Sequence, residues 1–331
     1  MVYPYDLSVV LPVYNEVDNI TPVHEELSSV LKGLNLRYEV IYVDDGSRDG
    51  TMERIAALAE AEPDTVRAVI FRRNFGQTAA IQAGIDHANG AIIALMDADL
   101  QNDPHDIPLM LQQMETEGYD LVSGWRKNRK DKAVTRKLPS KIANGMISRV
   151  TGVHLHDYGC TLKTYRREVL DHVRLYGEMH RFIPVLANAA GARIVERVVN
   201  HRARIHGKSK YGLWRTIKVL LDLMTVTFLT KYNKRPMYIF GGVGFILSAL
   251  SMLCIFVMLI SGIFGGGLLW NSPWPVLAAL FIVLGVQSML MGLVMEVLMR
   301  TYYESQDKGP YVIRQVVNAH KHVPQSEAEP S

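Results

Sequence analysis

The sequence predicts an α/β domain with a mostly parallel sheet, followed by interfacial amphipathic helices and a two-helix transmembrane hairpin. First, strand-like and helix-like segments alternate over the first 125 residues. Second, the strand-like runs are continuously apolar, which is typical of strands buried on both faces of a parallel sheet covered by helices. Third, residues 237–295 contain no Asp, Glu, Lys, Arg or His. These 59 residues are too long for one membrane crossing of roughly 20 residues and fit two crossings with a turn.

The elements of the first domain follow in order. Strands are predicted at residues 7–11, 38–43, 66–71 and 91–96, and helices at 18–31, 51–61 and 76–88. A polar cluster follows each strand, and the four clusters are Tyr14-Asn15-Glu16, Asp44-Asp45, Arg72-Arg73-Asn74 and Asp97-Ala98-Asp99. Because ligands of such sheets bind beyond the carboxyl ends of the strands, these clusters predict the position of a binding site.

Asp97 and Asp99 form the centre of the predicted site. Two carboxylates at positions i and i+2, directly after a buried strand, are expected on one side of the chain, where they form a compact negative patch. Carboxylate oxygens suit Mg²⁺ or Mn²⁺, which binds one or two carboxylates together with substrate phosphate oxygens. Gln101 offers another oxygen. The alternative is that this loop caps a helix that begins near Pro104.

Asp44 and Asp45 end the neighbouring strand. Paired acids accept hydrogen bonds from a ribose hydroxyl or a pyrimidine N–H, both of which are donors. The alternative is that these acids begin a turn with Gly46. No G-x-G-x-x-G follows the first strand and no G-x-x-x-x-G-K-[ST] occurs. The sequence therefore argues against a dinucleotide fingerprint and a P-loop.

Composition and charge exclude several classes of protein. The chain is 48% hydrophobic and 21% charged, and its charge deficit is concentrated in residues 237–295, which excludes a wholly soluble enzyme. No comparable stretch precedes this segment, which excludes a multi-span transporter. Two cysteines without a C-x-x-C pattern exclude a disulfide scaffold and a zinc ribbon. Residues 125–149 hold nine Lys or Arg and one acid, a pattern that favours anionic headgroups over nucleic acid beside a membrane hairpin.

The predicted membrane spans lie at about residues 238–260 and 276–298. Basic residues flank the hairpin on both sides, namely Lys231, Lys234 and Arg235 before the first span and Arg300 after the second. The turn between the spans carries no charge. The positive-inside rule then places the sheet domain and both chain ends in the cytoplasm. Residues 213–228 are expected as a helix that lies in the membrane interface.

Three motifs resemble the signatures of family 2 glycosyltransferases with the GT-A fold. They are Val10-Leu11-Pro12-Val13-Tyr14-Asn15-Glu16, the run from Val43 to Thr51 that contains Asp44-Asp45-Gly46-Ser47, and Asp97-Ala98-Asp99-Leu100-Gln101. The runs 157–163, 182–188 and 207–211 are similar to those of bacterial polyprenyl-phosphate glycosyltransferases, including undecaprenyl-phosphate glucosyl and aminoarabinosyl transferases, and more distantly dolichol-phosphate mannose synthase. The resemblance covers about residues 6–315.

The resemblance implies roles for individual residues. It assigns the nucleotide-sugar site to Pro12, Tyr14, Glu16, Asp44, Asp45 and Asp97, with Arg204, Ser209 and Lys210 on a loop that closes over the diphosphate. It assigns the metal to Asp97, Asp99 and Gln101, and the acceptor phosphate to Arg126, Arg136, Lys137 and Ser140. Asp99, Arg126 and Arg136 are the expected catalytic residues. Lys208 is a departure, since relatives often have an acid there, and Lys137 beside Arg136 leaves the acceptor contact open between them.

The resemblance implies a metal-dependent transfer from a nucleoside-diphosphate sugar, expected to be a UDP-sugar, to a polyprenyl phosphate such as undecaprenyl phosphate. The lipid phosphate is already anionic at neutral pH and needs no general base. The enzyme then mainly positions the reactants and compensates charge, with inversion of the anomeric centre. The alternatives are a processive polysaccharide synthase, whose Gln-x-x-Arg-Trp motif is absent, and a non-catalytic scaffold that binds anionic lipid.

The expected organisation follows from these assignments. Residues 1–165 form the GT-A domain, 166–235 the acceptor-site and membrane-interface helices, 236–300 the transmembrane helices and 301–331 a cytoplasmic tail. The expected location is the bacterial inner membrane, with membrane lipids and the two substrates as partners and no nucleic acid. Gly241, Gly242 and Gly244 allow close helix packing, which favours oligomerisation. The resemblance implies a homotetramer. The motifs do not identify the sugar.

Overall fold

The computed structural model describes most of the chain, in two compact units. It describes residues 3–127, 138–171, 173, 175, 179–202, 236–263, 273–304 and 311–318, without side chains at 138–143, 236–239, 262, 296–297 and 299–304. Residues 1–226 and 309–331 form the first unit, and residues 227–308 form the second. The predicted interfacial helix at 213–228 lies outside the described residues.

One sheet organises the first unit. Its strands among the described residues are β1 (Tyr5–Val13), β2 (Tyr38–Asp44), β3 (Val66–Phe71), β4 (Gly90–Leu95), β5 (Leu121–Trp125), β6 (Lys163–Arg166), β7 (Ile194–Val198) and β8 (Ile313–Val317). Their order across the sheet is β7-β5-β6-β4-β1-β2-β3-β8. The central strands β4, β1, β2 and β3 run parallel, and β5 is parallel to β7. β6 and β8 are antiparallel to their neighbours. The prediction of a mostly parallel sheet is therefore confirmed.

Helices connect the strands. Among the described residues of the first unit they are α1 (Val17–Lys32), α2 (Thr51–Ala61), α3 (Gln77–His87), α4 (Asp106–Glu117), α5 (Leu138–Thr151), α6 (Arg167–Leu170) and α7 (Ile183–Ala189). The predicted bounds of the second helix and the third strand are correct, and those of the other early elements differ by one or two residues at their ends. These segments were predictable because each strand is a continuous buried run that ends at a polar loop.

Apolar side chains fill both faces of the sheet. On one face, β1 contributes Val9 and Leu11 to a core shared with Ile20 and Leu27 of α1. On the other face, α3 packs so closely that a Cβ atom on Gly84 would lie 2.1 Å from Val10 Cγ1. The central parallel strands are thereby fixed between helices, and the loops at their carboxyl ends rest on a rigid base.

The edge strand β8 comes from the part of the chain that follows the apolar segment, and the sequence pattern does not reveal it. β8 pairs antiparallel with β3, with an irregularity between Ile70 and Phe71. Asn318 at the end of β8 donates from Nδ2 to the carbonyl oxygen of Val66 at 3.0 Å. The first unit therefore contains residues from both sides of the apolar segment in sequence.

The second unit contains α8 (Pro236–Ile263) and α9 (Trp274–Glu304). Within them, Phe240–Ser261 and Trp274–Met295 are long and apolar enough to cross a membrane, and only 22% and 17% of their most apolar windows are buried. Such exposed apolar helices fit a lipid environment better than the core of a soluble protein. The two helices coincide with the predicted spans and extend them at both ends.

Small residues allow the two apolar helices to touch. A Cβ atom on Gly285 of α9 would lie 2.9 Å from the carbonyl oxygen of Gly244 of α8, and Ser251 Oγ donates to the carbonyl oxygen of Ala278 at 2.7 Å. Gly244 is thus used for packing inside the hairpin, whereas a Cβ atom on Gly242 would meet open space.

Candidate active site at the carboxyl ends of the central strands

The predicted site residues that the structure describes gather at one edge of the sheet. Tyr14 and Glu16 follow β1, Asp44 ends β2, and Asp97 and Asp99 follow β4. β1 lies between β2 and β4 and pairs in parallel with both. The loops that carry these residues consequently leave neighbouring strands on the same side.

Asp97 is half-buried, and both of its carboxylate oxygens are held by side chains. Thr161 Oγ1 donates to Oδ2 at 2.7 Å, and Gln77 Nε2 donates to Oδ1 at 2.9 Å. Burial, together with the charge of the neighbouring Asp99, raises the pKa of Asp97 to about 6. This carboxylate therefore lies where concentrated negative charge is unfavourable unless a cation balances it.

Asp99 is buried, and its Oδ1 accepts a hydrogen bond from the backbone N–H of Gln101 at 3.2 Å. Leu100 between them adopts a left-handed conformation with φ of 61°. Such a conformation is unfavourable for a leucine by about 1–2 kcal/mol, and strain of this kind concentrates at functional sites. Near the start of α4, the backbone N–H of His105 donates to Oδ1 of Asp103 at 3.1 Å, and α4 has no side-chain cap from Asp97 or Asp99.

Gln101 connects this loop to the end of the described segment after β7. Its carbonyl oxygen accepts from the backbone N–H of Arg202 at 2.9 Å, and its Nε2 donates to the carbonyl oxygen of Arg202 at 3.4 Å. Arg202 is itself fixed by Glu26 at 2.7 Å and Asp103 at 2.9 Å. The chain thus reaches residue 202 beside the acidic pair. The predicted diphosphate loop, with Arg204, Ser209 and Lys210, lies outside the described residues.

Asp45 orders the loop that follows β3. Its carboxylate accepts hydrogen bonds from Asn74 Nδ2 at 2.8 Å and from the backbone N–H groups of Phe75 at 2.6 Å and Gly76 at 2.9 Å. Burial raises the pKa of Asp45 to about 6 in spite of these hydrogen bonds. Asp45 therefore acts on the site through the loop at residues 72–76.

The sequence left two roles open for Asp44, a substrate contact and a turn residue, and its position is compatible with both. It is buried at the end of β2, at the predicted edge, and it also accepts a hydrogen bond from the backbone N–H of Ser47 at 3.1 Å, which closes the turn. Gly46 within the turn has φ of 71°, and a Cβ atom there would lie 2.4 Å from the carbonyl carbon of Arg73. Only glycine fits where the loops after β2 and β3 touch.

The loop after β1 is fixed to the same turn. The backbone N–H of Asn15 donates to Ser47 Oγ at 2.9 Å, and the backbone N–H of Glu16 donates to Thr51 Oγ1 at 3.0 Å. Pro12 and Tyr14 are half-buried. The loop that carries Tyr14 and Glu16 is thus joined to the turn that Asp44 closes.

Arg126 follows β5 and forms a buried ion pair with Asp157. Nε donates to Oδ2 at 2.7 Å and Nη2 to Oδ1 at 3.0 Å, and the two side chains are 12% and 6% exposed. Although burial opposes the charged form, the hydrogen bonds to Asp157 raise the pKa of Arg126. Of the predicted acceptor cluster, Arg136 and Lys137 lie outside the described residues, and the side chain of Ser140 on α5 is not described.

Several residues that hold the site were missed by sequence reasoning. Thr161, Asp157 and Lys163 belong to the run 157–163, whose resemblance to a family motif carried no residue roles. Lys163 is buried, with its ammonium group donating to the carbonyl oxygens of Cys160 and Tyr158, and burial lowers its pKa. Gln77 gave no signal, because its contact with Asp97 joins positions 20 residues apart.

Two other groups of metal-ligating side chains are explained by ion pairs. Glu26, Asp103 and His105 have ligand atoms close to one another, but Arg202 already binds both carboxylates. His156, which with His154 resembles a zinc pattern in sequence, bonds to Glu196 at 2.7 Å. These contacts account for the charges of both groups.

The chain was compared with known proteins. The family model described as "Glycosyl transferase family 2" matches residues 8–174. The chain is 44% identical over 313 residues to dodecaprenyl-phosphate galacturonate synthase of Rhizobium johnstonii, covering 94% of this chain and 93% of that protein. It is 38% identical over 327 residues to undecaprenyl-phosphate 4-deoxy-4-formamido-L-arabinose transferase of Aeromonas hydrophila, covering 98% and 97%.

Solved structures share the fold of the first unit. Glucosyl-3-phosphoglycerate synthase of Mycobacterium tuberculosis is 21% identical, with a TM-score of 0.51 over 69% of this chain and 81% of that chain. Its complex with Mn²⁺ and UDP-glucose is 20% identical, with a TM-score of 0.51 over 69% and 79%. This similarity establishes a shared chain topology.

Proposed function

Because the chain belongs to glycosyl transferase family 2, we propose that it transfers a glycosyl group from a UDP-sugar to a polyprenyl phosphate. The observation that carries this proposal is the pair Asp97 and Asp99 at the carboxyl end of β4, beside the loop network around Asp44. The curated relatives, whose names specify dodecaprenyl and undecaprenyl phosphate, align over nearly the whole chain and support the choice of acceptor. The acceptor of this chain is accordingly undecaprenyl phosphate or a similar polyprenyl phosphate.

The acidic pair fits Mg²⁺ or Mn²⁺. Burial, and after it the charge of Asp99, raises the pKa of Asp97. The two carboxylates supply the oxygen ligands that these ions prefer, and Gln101 adds a further oxygen. When bound, the ion neutralises the diphosphate of the leaving group. Thr161 and Gln77 orient the Asp97 carboxylate, and the strained Leu100 orients Asp99.

The remaining donor contacts come from the loop network. Pro12, Tyr14, Glu16 and Asp44 hold the base and ribose, and Asp45 keeps the loop at residues 72–76 in place beneath them. Arg202 is hydrogen-bonded to Gln101 beside the acidic pair. The residues that close over the diphosphate follow it in the chain: Arg204, Ser209 and Lys210. These assignments confine the donor to the edge of the sheet where the acids converge.

The lipid phosphate is the nucleophile. Arg126, Arg136, Lys137 and Ser140 bind it, and Asp157 orients the Arg126 guanidinium. The phosphate attacks the anomeric carbon from the face opposite the diphosphate, so the anomeric configuration inverts. Charge compensation and positioning replace a general base, since the phosphate is already anionic. A product that retains the donor configuration would contradict this step.

The membrane supplies the acceptor. We assign α8 and α9 to the bacterial inner membrane, with the sheet domain and both chain ends on the cytoplasmic side. Basic residues within 125–149 contact anionic headgroups, and the protein assembles as a homo-oligomer, with a homotetramer as the proposed form. The proposed domain division is residues 1–165 for the GT-A domain, 166–235 for the acceptor-site and membrane-interface segment, 236–300 for the membrane anchor and 301–331 for the cytoplasmic tail, and β7 and β8 extend the sheet into the second and the last of these segments.

The test is a panel of UDP-sugars with undecaprenyl phosphate and Mg²⁺ or Mn²⁺, scored for lipid-linked product. One sugar per lipid is expected with the correct donor.

Asp99→Asn lowers transfer by at least about 100-fold through loss of metal and charge stabilisation, whereas Glu115→Gln, which changes an exposed acid on α4, retains it. Both variants bind anionic vesicles equally. Unchanged transfer by the Asp99 variant refutes the metal site, lipid-linked polymer indicates a processive synthase, and vesicle binding without product indicates a scaffold.

A further inference from the structure

Tyr311 joins the chain that follows the apolar segment to the end of β3. Its ring stacks on Phe71, with centroids 5.1 Å apart and planes inclined by 12°. Its hydroxyl donates to Asp86 Oδ2 on α3 at 2.8 Å, and Gln82 Nε2 holds the other oxygen of Asp86 at 2.8 Å. The neighbouring carbonyl oxygen of Val312 accepts from the backbone N–H of Arg72 at 3.1 Å. Tyr311 therefore bridges β3 and α3, the two elements that flank the loop at residues 72–76.

The ring contacts continue into that loop. Phe71 meets Phe75 edge to face, with centroids 5.7 Å apart, and the guanidinium of Arg73 lies 4.2 Å from the centre of the Phe75 ring. The backbone N–H of Phe75 is one of the three groups that Asp45 binds. Packing thus fixes the loop from one side, and the Asp45 carboxylate fixes it from the other.

The loop at residues 72–76 has little freedom to move independently of the donor site. Gly46, in the turn closed by Asp44, approaches the backbone of Arg73 so closely that no Cβ atom fits between them. A displacement of Phe75 would therefore shift the turn that carries Asp44. Side chains that hold Phe75 in place hold the predicted nucleotide contacts in place as well.

We propose that Tyr311 is a positioning residue for donor binding, which acts through Phe71 and Phe75 on the loop that Asp45 orders. The proposal rests on the proposed function, because donor affinity is one of its readouts. The sequence offers no hint of this role, since Tyr311 lies beyond the apolar segment and outside every family motif quoted above. The segment after the two apolar helices thereby contributes to the nucleotide site of the sheet domain.

The test compares full-length variants that separate ring packing from strand docking. Tyr311→Leu removes the stack on Phe71, and Tyr311→Phe keeps it. Phe75→Leu breaks the second ring contact without touching β8. Val317→Ala is the matched control, because Val317 packs against the core beside Ala68 at the other end of β8. This control weakens the docking of β8 and leaves both ring contacts intact.

Steady-state kinetics and hydrogen exchange provide two independent readouts. Tyr311→Leu and Phe75→Leu raise the KM for the UDP-sugar by about 2- to 10-fold, the value of one aromatic pair, and leave kcat within about twofold of wild type. In both variants the backbone amides of Phe75 and Gly76 exchange faster. Tyr311→Phe behaves as wild type in donor KM and amide exchange, and so does Val317→Ala.

The outcomes distinguish the two proposals. If Val317→Ala raises the donor KM and speeds loop exchange as much as Tyr311→Leu does, Tyr311 serves only to dock β8 and the positioning role is refuted. Wild-type values for Phe75→Leu refute it equally, even if Tyr311→Leu fails to fold. If the wild-type enzyme transfers no sugar, the proposed function fails, and hydrogen exchange alone still decides whether Tyr311 orders the loop.

Discussion

The buried pair of Arg126 and Asp157 makes a quantitative prediction. Asp157→Ala leaves a guanidinium that is only 12% exposed without its two carboxylate contacts. Removing one partner of a buried ion pair costs about 3–5 kcal/mol, because the remaining charge is desolvated and unpaired. For a domain of this size each kcal/mol lowers the Tm by about 2–4 °C, so the expected decrease is about 6–20 °C.

A double-mutant cycle in detergent, followed by thermal unfolding, isolates this interaction. Arg126→Met and Asp157→Ala each destabilise the protein, and the double variant loses less than the sum because neither charge is then left alone. Arg37→Met is the matched control, since its partner Asp6 lies in an exposed pair and its loss leaves the Tm close to wild type. Additive losses at Arg126 and Asp157 would refute the reasoning, as the pair would then carry no coupling energy.

Three further predictions concern charge and packing. The pKa of Asp45 in the folded protein, about 6, lies above its value in the unfolded chain. The protonated carboxyl group therefore stabilises the folded state at low pH, and this stabilisation is lost as the pH rises through about 6. The Tm of wild type should therefore fall relative to that of Asp45→Asn between about pH 4 and pH 6, and a constant difference over this range would contradict the shift. Gly84→Ala destabilises the protein by about 1–3 kcal/mol in denaturant melts, because the new Cβ atom overlaps the side chain of Val10. Adding Val10→Ala restores part of this loss, and a double variant without any recovery would contradict the overlap. Gly285→Leu separates the two apolar helices and lowers the Tm in detergent, whereas Gly242→Leu, which faces open space, leaves it unchanged; equal effects would exclude the observed packing.

The sequence predicted the central sheet because its strands are defined by local pattern. Each of the first four strands is a short run dominated by apolar residues, and the acids at the strand ends could be placed with only the rule that ligands bind beyond the carboxyl ends of parallel strands. Asp44, Asp97 and Asp99 were accordingly placed at one edge without any knowledge of long-range contacts. The two apolar helices were equally predictable, since a 59-residue run without charge is too long for one membrane span and fits two.

The sequence did not reveal contacts that join distant segments. Asp45 binds a loop about 30 residues downstream, and Arg126 finds Asp157 31 residues away. The local sequence around Asp45 and Arg126 carries no information about these protein partners, so the sequence could not predict either contact. β8 was missed for the same reason, as a five-residue strand becomes recognisable only when its partner β3 is known.

The late position of β8 imposes an order on biosynthesis. β3 is buried along its whole length and is apolar except at Arg67, and until β8 is made its outer edge carries unpaired backbone groups. The ribosome must complete both apolar helices before it produces β8, so a nascent chain exposes this edge throughout their synthesis. The sheet is therefore completed only after both apolar helices have been synthesised. While these helices are being made, a chaperone that covers the open edge of β3 would be most useful.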